Sequence, residues 1–438
     1  MKKLVVLGGG ESGIGAALLA KKNGYEVFVS DKGTISDKKV LTNNDIKWEE
    51  GNHDMIEILS ADEVVKSPGI ADTIDLIDKI KNSGIPIISE VEFAYRYTNA
   101  KIVAITGSNG KTTTTLLVAH ILEKANYDVL VAGNVGTGFA KSLVERDYDY
   151  IVLELSSFQL DGIVDFKADV AILLNITPDH LDRYDNNFEN YVKSKLKIIN
   201  NQTEKDVFIY NYDDENIRNK AETKATKIPF SLHTEWDNNA AFYKNKQINI
   251  NINNNKMTIQ ELALQGRHNI YNSMAAAVAS RVLEVKDFIT KQALLDFKNV
   301  EHRLEHVINV HGIEFINDSK ATNINSVWFA LETMHKDTIW IVGGVDKGNN
   351  YSELLDLVDE KVKAIVCIGQ NTENIHAIFS NHVDNIVNAN SMEEAVAYSY
   401  QLAVKGDAVL LSPACASFDM FSNFEHRGLE FKKSVRSL

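Results

Sequence analysis

The chain has 438 residues, 44% hydrophobic and 24% charged, the balance of a folded globular protein rather than a disordered or fibrous one. Its 46 basic and 60 acidic residues leave a net charge of −14, and no basic run offers itself to nucleic-acid phosphates. Two cysteines, Cys367 and Cys415, cannot build a disulfide framework, and no apolar run reaches the ~20 residues of a membrane span, so the sequence reads as soluble and cytoplasmic.

Taken in order, short apolar runs at residues 4–7, 26–30, 102–106, 150–155, 170–175, 315–317, 339–342, 364–368 and 408–411 alternate with helix-length amphipathic stretches. Residues 16–23, 113–125 and 272–283 are examples of the latter. Buried runs separated by helices predict an α/β protein with parallel sheets covered on both faces. The first run could imitate a secretion signal, but it breaks at once into Gly8-Gly9-Gly10-Glu11. Boundaries are expected near residues 95–99 and 297–299, giving segments 1–95, 96–297 and 298–438. The asparagine-rich stretch 237–256, with Ile248, Ile250 and Ile252 alternating, predicts a hairpin or edge ribbon.

Gly8-Gly9-Gly10-Glu11-Ser12-Gly13 follows the first run and matches G-x-G-x-x-G, and Asp31 closes the next run 18 residues after Gly13. Glycines at this spacing let a backbone approach a pyrophosphate, and the acid suits a ribose hydroxyl. Any nucleotide diphosphate can use such a turn, so NAD, FAD and a nucleotide-sugar all remain open.

The run at 102–106 leads into Gly107-Ser108-Asn109-Gly110-Lys111-Thr112-Thr113 and then directly into a helix pattern. Backbone N–H groups and a helix N-terminus would face an anion there, the lysine would neutralise outer phosphates, and a hydroxyl would ligate magnesium. The first glycine arrives later than in the strict G-x-x-x-x-G-K-[ST] spacing. A lysine at a helix start, where cations are disfavoured, nevertheless argues for a bound anion.

The next two strands also end in polar groups. Glu154 closes the run at 150–155, either as a solvated strand end or as a group that positions a metal. The run at 170–174 leads into Asn175-Ile176-Thr177-Pro178-Asp179-His180, which puts an imidazole at a strand end. Lys195, on the amphipathic stretch 188–199, reads as a surface lysine by pattern alone. Cys415 reads as a small packing residue.

Several strings together resemble the Mur ligase family of peptidoglycan synthesis. They are Thr106-Gly-Ser-Asn-Gly-Lys-Thr-Thr113, Leu153-Glu-Leu-Ser-Ser-Phe-Gln159, Asn175-Ile-Thr-Pro-Asp-His180, Gly266-Arg-His-Asn269 and His302-Arg303, in the family's order and approximate spacing. Asn317-Asp-Ser-Lys-Ala-Thr-Asn323 and the block from Ser412 to Gly428 are similar to the branch that adds D-glutamate. The resemblance implies three α/β domains. They are an N-terminal Rossmann-like domain for a UDP substrate, a central ATPase-type domain, and a Rossmann-like C-terminal domain that closes on ATP and binds D-glutamate.

It also implies ATP-dependent amide formation on UDP-N-acetylmuramoyl-L-alanine through an acyl phosphate. Carried over residue by residue, Ser12, Gly13, Asp31, Lys32 and Gly69 would contact UDP, and Asn134, Ser156 and Gln159 the muramoyl-alanyl part. Residues 107–113, with Asn269, Asn272, Arg303 and Asp318, would contact ATP. Thr112, Glu154, His180 and Lys195 would hold two Mg²⁺ ions, Lys195 as a carbamate. Thr322, Lys347, Ser417 and Phe424 would meet D-glutamate, with Lys320 near the transferred phosphate. Lys111, His180, Lys195 and Lys320 are thus the expected catalytic groups. The expected enzyme is a cytoplasmic monomer acting on small molecules, with no nucleic-acid or membrane partner.

The same residues bear on three other readings. A ligase of this type with another amino-acid acceptor conflicts with the blocks at 320–323 and 412–424. A nicotinamide-dependent oxidoreductase would leave residues 107–113 unexplained. A non-catalytic nucleotide-binding regulator would be expected to lack Lys111 or Glu154.

Overall fold

The computed structural model describes residues 1–438 except Ser36, Gln265, Asn299, Lys347 and Asn371. Its described residues form three sheets in succession. The first contains β1 (Lys3–Leu7), β2 (Glu26–Asp31), β3 (Lys47–Glu50), β4 (Glu63–Lys66) and β5 (Ile87–Ile88), in the order 3-2-1-4-5. All its pairings are parallel.

The second sheet holds β6 (Lys101–Thr106), β7 (Val129–Gly133), β8 (Tyr150–Glu154), β9 (Val170–Leu173), β10 (Val207–Asn211) and β11 (Thr226–Ser231), followed by β12 (Ala240–Lys244), β13 (Gln247–Ile252) and β14 (Asn255–Ile259). Their order is 14-13-12-11-10-9-6-8-7, parallel from β7 to β12. The asparagine-rich stretch forms the antiparallel ribbon β12-β13-β14 at one edge. Ile248, Ile250 and Ile252 all face inward, buried to 6% exposure or less, which is what their alternation predicts.

The third sheet runs 15-16-20-17-18-19, built from β15 (Glu305–Val310), β16 (Ile313–Asn317), β17 (Thr338–Val342), β18 (Val362–Ile368), β19 (Ile386–Ala389) and β20 (Ala408–Leu411). Only the β15–β16 pair is antiparallel. The α/β class with parallel sheets is therefore the architecture of the chain.

Packing divides the chain differently from the sheets. Met1–Leu262 and Tyr271–Asp296 form one compact unit, and Ala263–Ile270 with Phe297–Leu438 form another. The first unit holds two sheets because one apolar cluster runs through both, from Leu4 and Val29 through Phe93 and Phe139 to Leu173 and Phe208. Gly15 lies in the helix Glu11–Lys22 against the helix Phe139–Glu145, where a Cβ would sit 2.9 Å from Lys141 N. The third sheet carries its own two clusters, one on each face. Among the described residues no helix is long and apolar enough to cross a membrane.

The first two sheets each have a point where the chain leaves a central strand and its neighbours connect in opposite directions. β1 sits between β2 and β4, and β6 between β8 and β9. In open parallel sheets the crevice beyond the carboxyl ends of such strands is where ligands bind.

Candidate active site

The second glycine turn leaves β6 and enters the helix Lys111–Lys124. Gly110 is its N-cap with φ 83°, a left-handed conformation that L side chains rarely adopt. A Cβ there would also come 2.3 Å from Asn272 Oδ1. Both requirements select glycine immediately before the lysine.

The loop after β9 clamps this turn. Ser108 N donates to Asn175 O at 2.9 Å, Asn109 N to Asn175 Oδ1 at 2.8 Å, and Asn175 Nδ2 to Asn109 O at 3.0 Å. Ser108 Oγ donates to Thr177 O and accepts from Thr177 N, each at 2.9 Å. These bonds fix the backbone of two consecutive turn residues and occupy both of their N–H groups.

Two lysines converge beneath the turn. Lys111 Nζ donates to Gly107 O and Ser108 O at 2.8 Å, and Lys195 Nζ donates to the same Gly107 O at 2.9 Å. Lys195 lies in the helix Phe188–Leu196 and is only 1% exposed. The surface lysine that its sequence pattern suggests is thus a buried one, its Nζ 4.7 Å from the Tyr191 ring centroid. Burial, and then the Lys111 cation, push its pKa well below the usual lysine range.

Glu154, at the end of β8, is equally buried at 1% exposure. Its Oε1 accepts from Asn134 Nδ2 at 2.8 Å, whereas Oε2 accepts no hydrogen bond among the described residues. A buried carboxylate oxygen without a donor is costly unless a cation reaches it. The solvated strand end is therefore not what this sequence builds. Thr112 is buried beside the turn, and half-buried His180 stands in a left-handed conformation, φ 53°. Its ring packs edge-on against Phe158 at 5.2 Å, and its Nε2 lies 3.7 Å from Asp179 Oδ2.

Ser156 and Gln159 do something that sequence reading did not anticipate. Ser156 caps the helix Ser157–Asp161, accepting from Gln159 N at 3.3 Å, while Gln159 Oε1 accepts from Ser156 N at 3.0 Å. This reciprocal capping box presents both residues beside Glu154.

The first glycine turn, after β1, is organised by an acid. Asp31, at the end of β2, accepts from Gly9 N at 2.5 Å and from Gly33 N at 2.7 Å. Gly13 packs so tightly that a Cβ would overlap Gly8 O at 1.9 Å. Ser12 is half-buried there, and Lys32 and Gly69 are exposed.

In the second unit, Asp318 follows β16 and is buried, accepting from Ser412 Oγ at 2.8 Å and Leu304 N at 3.2 Å. Burial pushes its carboxyl up to about 7, against the pull of Ser412 and of the nearby Arg303 and Arg427 cations. Arg427, 1% exposed, donates to Ser319 Oγ, Ser319 O and Cys415 O, so it ties the β16 turn to the block after β20. Lys320 Nζ stands 5.1 Å over the Phe424 ring. Ser417 is buried, Thr322 exposed, and Lys347 lies outside the described residues. Asn269 is buried in this unit and Asn272 in the first.

Cys415 is buried, its thiol pushed up to about 11 by desolvation and 3.2 Å from Tyr351 Oη, as a packing residue would be. Asn175, Ser412 and Arg427 organise these networks but were not singled out from the sequence. Their signal was position alone, each lying in a stretch that already carried a candidate.

Three family models match the chain: Mur ligase MurD-like, N-terminal domain at residues 2–89, Mur ligase middle domain at 105–280, and Mur ligase, glutamate ligase domain at 302–415. The chain is 52% identical to the UDP-N-acetylmuramoylalanine–D-glutamate ligase of Christiangramia forsetii, covering 100% of both chains. It is 50% identical to the enzyme of that name from Bacteroides thetaiotaomicron, again over 100% of both. Among solved structures it is similar to UDP-N-acetylmuramate-alanine ligase from Thermotoga maritima, with a TM-score of 0.63, 19% identity, and coverage of 100% of this chain and 99% of that one.

Proposed function

Because the chain belongs to the Mur ligase family, we propose that it joins D-glutamate to UDP-N-acetylmuramoyl-L-alanine and converts ATP to ADP and phosphate. End-to-end identity of about half to D-glutamate ligases supports that acceptor. The observation that carries the chemistry is the cluster of Lys111, Lys195 and Glu154 beneath the turn after β6.

The L-alanyl carboxylate attacks the γ-phosphorus, the bond to the β-phosphate oxygen breaks, and ADP leaves. The D-glutamate amine then attacks the acyl phosphate carbon and loses a proton as phosphate departs. Both steps bring anions together, so the protein must orient them and neutralise their charge. Lys111 is held by two loop carbonyls at the entrance of the helix, where it meets the outer phosphates. The N–H groups at the helix entrance, Gly110 and Lys111, face the chain of phosphates, while those of Ser108 and Asn109 are occupied by Asn175, which fixes the loop's shape. Asn134, Ser156 and Gln159 are read as contacts for the muramoyl-alanyl portion.

Mg²⁺, when bound, supplies further neutralisation of the phosphoryl oxygens. Oxygen ligands suit it, and the unpartnered buried Oε2 of Glu154 fits such an ion. Thr112, Glu154, His180 and a carbamate on Lys195 would hold two of them. The depressed pKa of Lys195 supports the carbamate, since only the neutral amine adds to CO₂, with loss of a proton.

Residues 1–95 are read as the UDP-substrate domain, with Ser12, Gly13, Asp31, Lys32 and Gly69 as contacts. Residues 96–297 are read as the ATP domain, which includes Asn269 and Asn272. Residues 298–438 contribute Arg303 and Asp318 to the nucleotide, Lys320 to the transferred phosphate, and Thr322, Lys347, Ser417 and Phe424 to D-glutamate. The same reading describes a cytoplasmic monomer acting on small molecules.

Phosphate release from ATP with UDP-N-acetylmuramoyl-L-alanine present tests this directly. Turnover is expected with D-glutamate and not with L-glutamate, meso-diaminopimelate, L-lysine or glycine. Turnover with another of these would move the acceptor pocket, and turnover with none would refute the ligase.

A further inference from the structure

The turn after β6 is braced from two sides by asparagines on different elements. Asn175 exchanges hydrogen bonds with Asn109, and Asn272 Oδ1 accepts from Thr114 Oγ1 at 3.3 Å beside Gly110. The neighbour of each asparagine is in turn held by one of two consecutive aspartates that follow β10. Ile176 N donates to Asp214 Oδ2 at 2.7 Å. Tyr271 Oη donates to Asp213 Oδ2 at 2.8 Å.

Both carboxylates are themselves pinned to the sheet. Asp214 Oδ1 accepts from Asn216 N at 2.9 Å and Ile217 N at 3.2 Å, capping the helix Glu215–Lys220. Asp213 accepts from Ser231 Oγ at 2.5 Å and Leu232 N at 2.8 Å at the end of β11. One rigid strand end thus reaches both supports of the phosphate turn without touching the turn itself.

We infer that Asp213 and Asp214 are positioning residues for the nucleotide, setting through Tyr271–Asn272 and Ile176–Asn175 the gap in which the phosphates sit. The inference rests on reading that turn as the ATP site. A phosphate cradle loses its grip when its N–H groups drift by fractions of an ångström, so the second layer of bonds matters as much as the first. The division of labour is specific. Asp213 acts on the helix that packs against Gly110, and Asp214 on the loop that holds Ser108 and Asn109.

The test is calorimetric titration of a non-hydrolysable ATP analogue into the full chain and its variants Asp213→Asn, Asp214→Asn and Tyr271→Phe. Steady-state KM values for ATP and for the UDP substrate are measured alongside. Each aspartate variant is expected to weaken nucleotide binding by about tenfold and Tyr271→Phe by about threefold, with the KM for the UDP substrate within twofold of the parent. Asp213→Asn combined with Tyr271→Phe is expected to lose no more than the larger single change, because both break one bond. Tyr271→Phe removes only a hydroxyl and keeps the test readable if an aspartate variant does not fold. Unchanged nucleotide affinity in the folded variants would overturn the inference. A parent chain that does not bind the analogue would refute the ATP reading instead, and the inference with it.

Discussion

Two glycine-rich turns in this chain share a backbone plan and differ in the groups that surround them. Each leaves the carboxyl end of a central parallel strand, β1 or β6, and each opens a helix. Around the first the ordering groups are acids. Asp31 gathers Gly9 N and Gly33 N, and Glu11 accepts from Gly138 N at 3.3 Å. Around the second the loop is clamped by neutral Asn175 and the charged groups are cations, Lys111 and Lys195 sharing Gly107 O, with the Glu154 carboxylate nearby in the same sheet. Glycine spacing therefore reports how closely a backbone can approach a phosphate. The charges behind it decide whether that phosphate is merely held or transferred.

The comparison breaks most sharply at Lys111. Lys111→Ala is expected to lower kcat by about 10³-fold or more, with little change in the KM for the UDP substrate, as loss of a charge clamp on a transferring phosphoryl group does. Steady-state kinetics with each substrate varied would check it. A loss confined to KM would mean that the lysine binds without stabilising the transition state.

A smaller effect is expected at the first turn. Asp31→Ala should raise the KM for the UDP substrate by about tenfold and leave ATP-analogue affinity unchanged. Equal losses for both ligands would show that the turns are not functionally separate.

Asp318 sharpens the comparison from the third sheet, because it is a strand-end acid buried among cations. Its folded carboxyl is raised to about 7, above an unfolded value near 4. Its contribution to stability is thus fully present below about pH 4 and lost as pH rises through about 7. Asp318→Asn carries no charge at any pH, so denaturant unfolding should show the parent losing stability relative to the variant between about pH 4 and 7. Parallel profiles would mean that Asp318 does not titrate there.

Much of this was legible in the sequence because both the strands and the turns leave local marks. The runs at 102–106 and 150–155 are buried on both faces of a parallel sheet, and such strands read as unbroken apolar runs. The phosphate turn carried its glycines, lysine and helix start within seven residues. Lys195 left no such mark, since an amphipathic helix with two lysines looks solvated until long-range packing covers one of them. The capping box at Ser156 and Gln159, by contrast, is a local S-x-x-Q spacing, but with only five helical residues after it no apolar periodicity marks the helix it caps. Asp213 and Asp214 act through contacts far apart in sequence, which no spacing encodes. The shared core of the first two sheets was equally invisible, because a boundary near residue 95 marks where a new sheet begins and not where packing stops.

The central claim is that the L-alanyl carboxylate itself takes the γ-phosphoryl group at the turn after β6. Running the reaction with ¹⁸O in that carboxylate and measuring the mass of the released phosphate tests it most directly. Transfer of one ¹⁸O atom to each phosphate is the predicted result, because the oxygen that attacks phosphorus leaves with it. Unlabelled phosphate alongside amide product would contradict the acyl phosphate and the roles assigned to Lys111 and Lys195 with it.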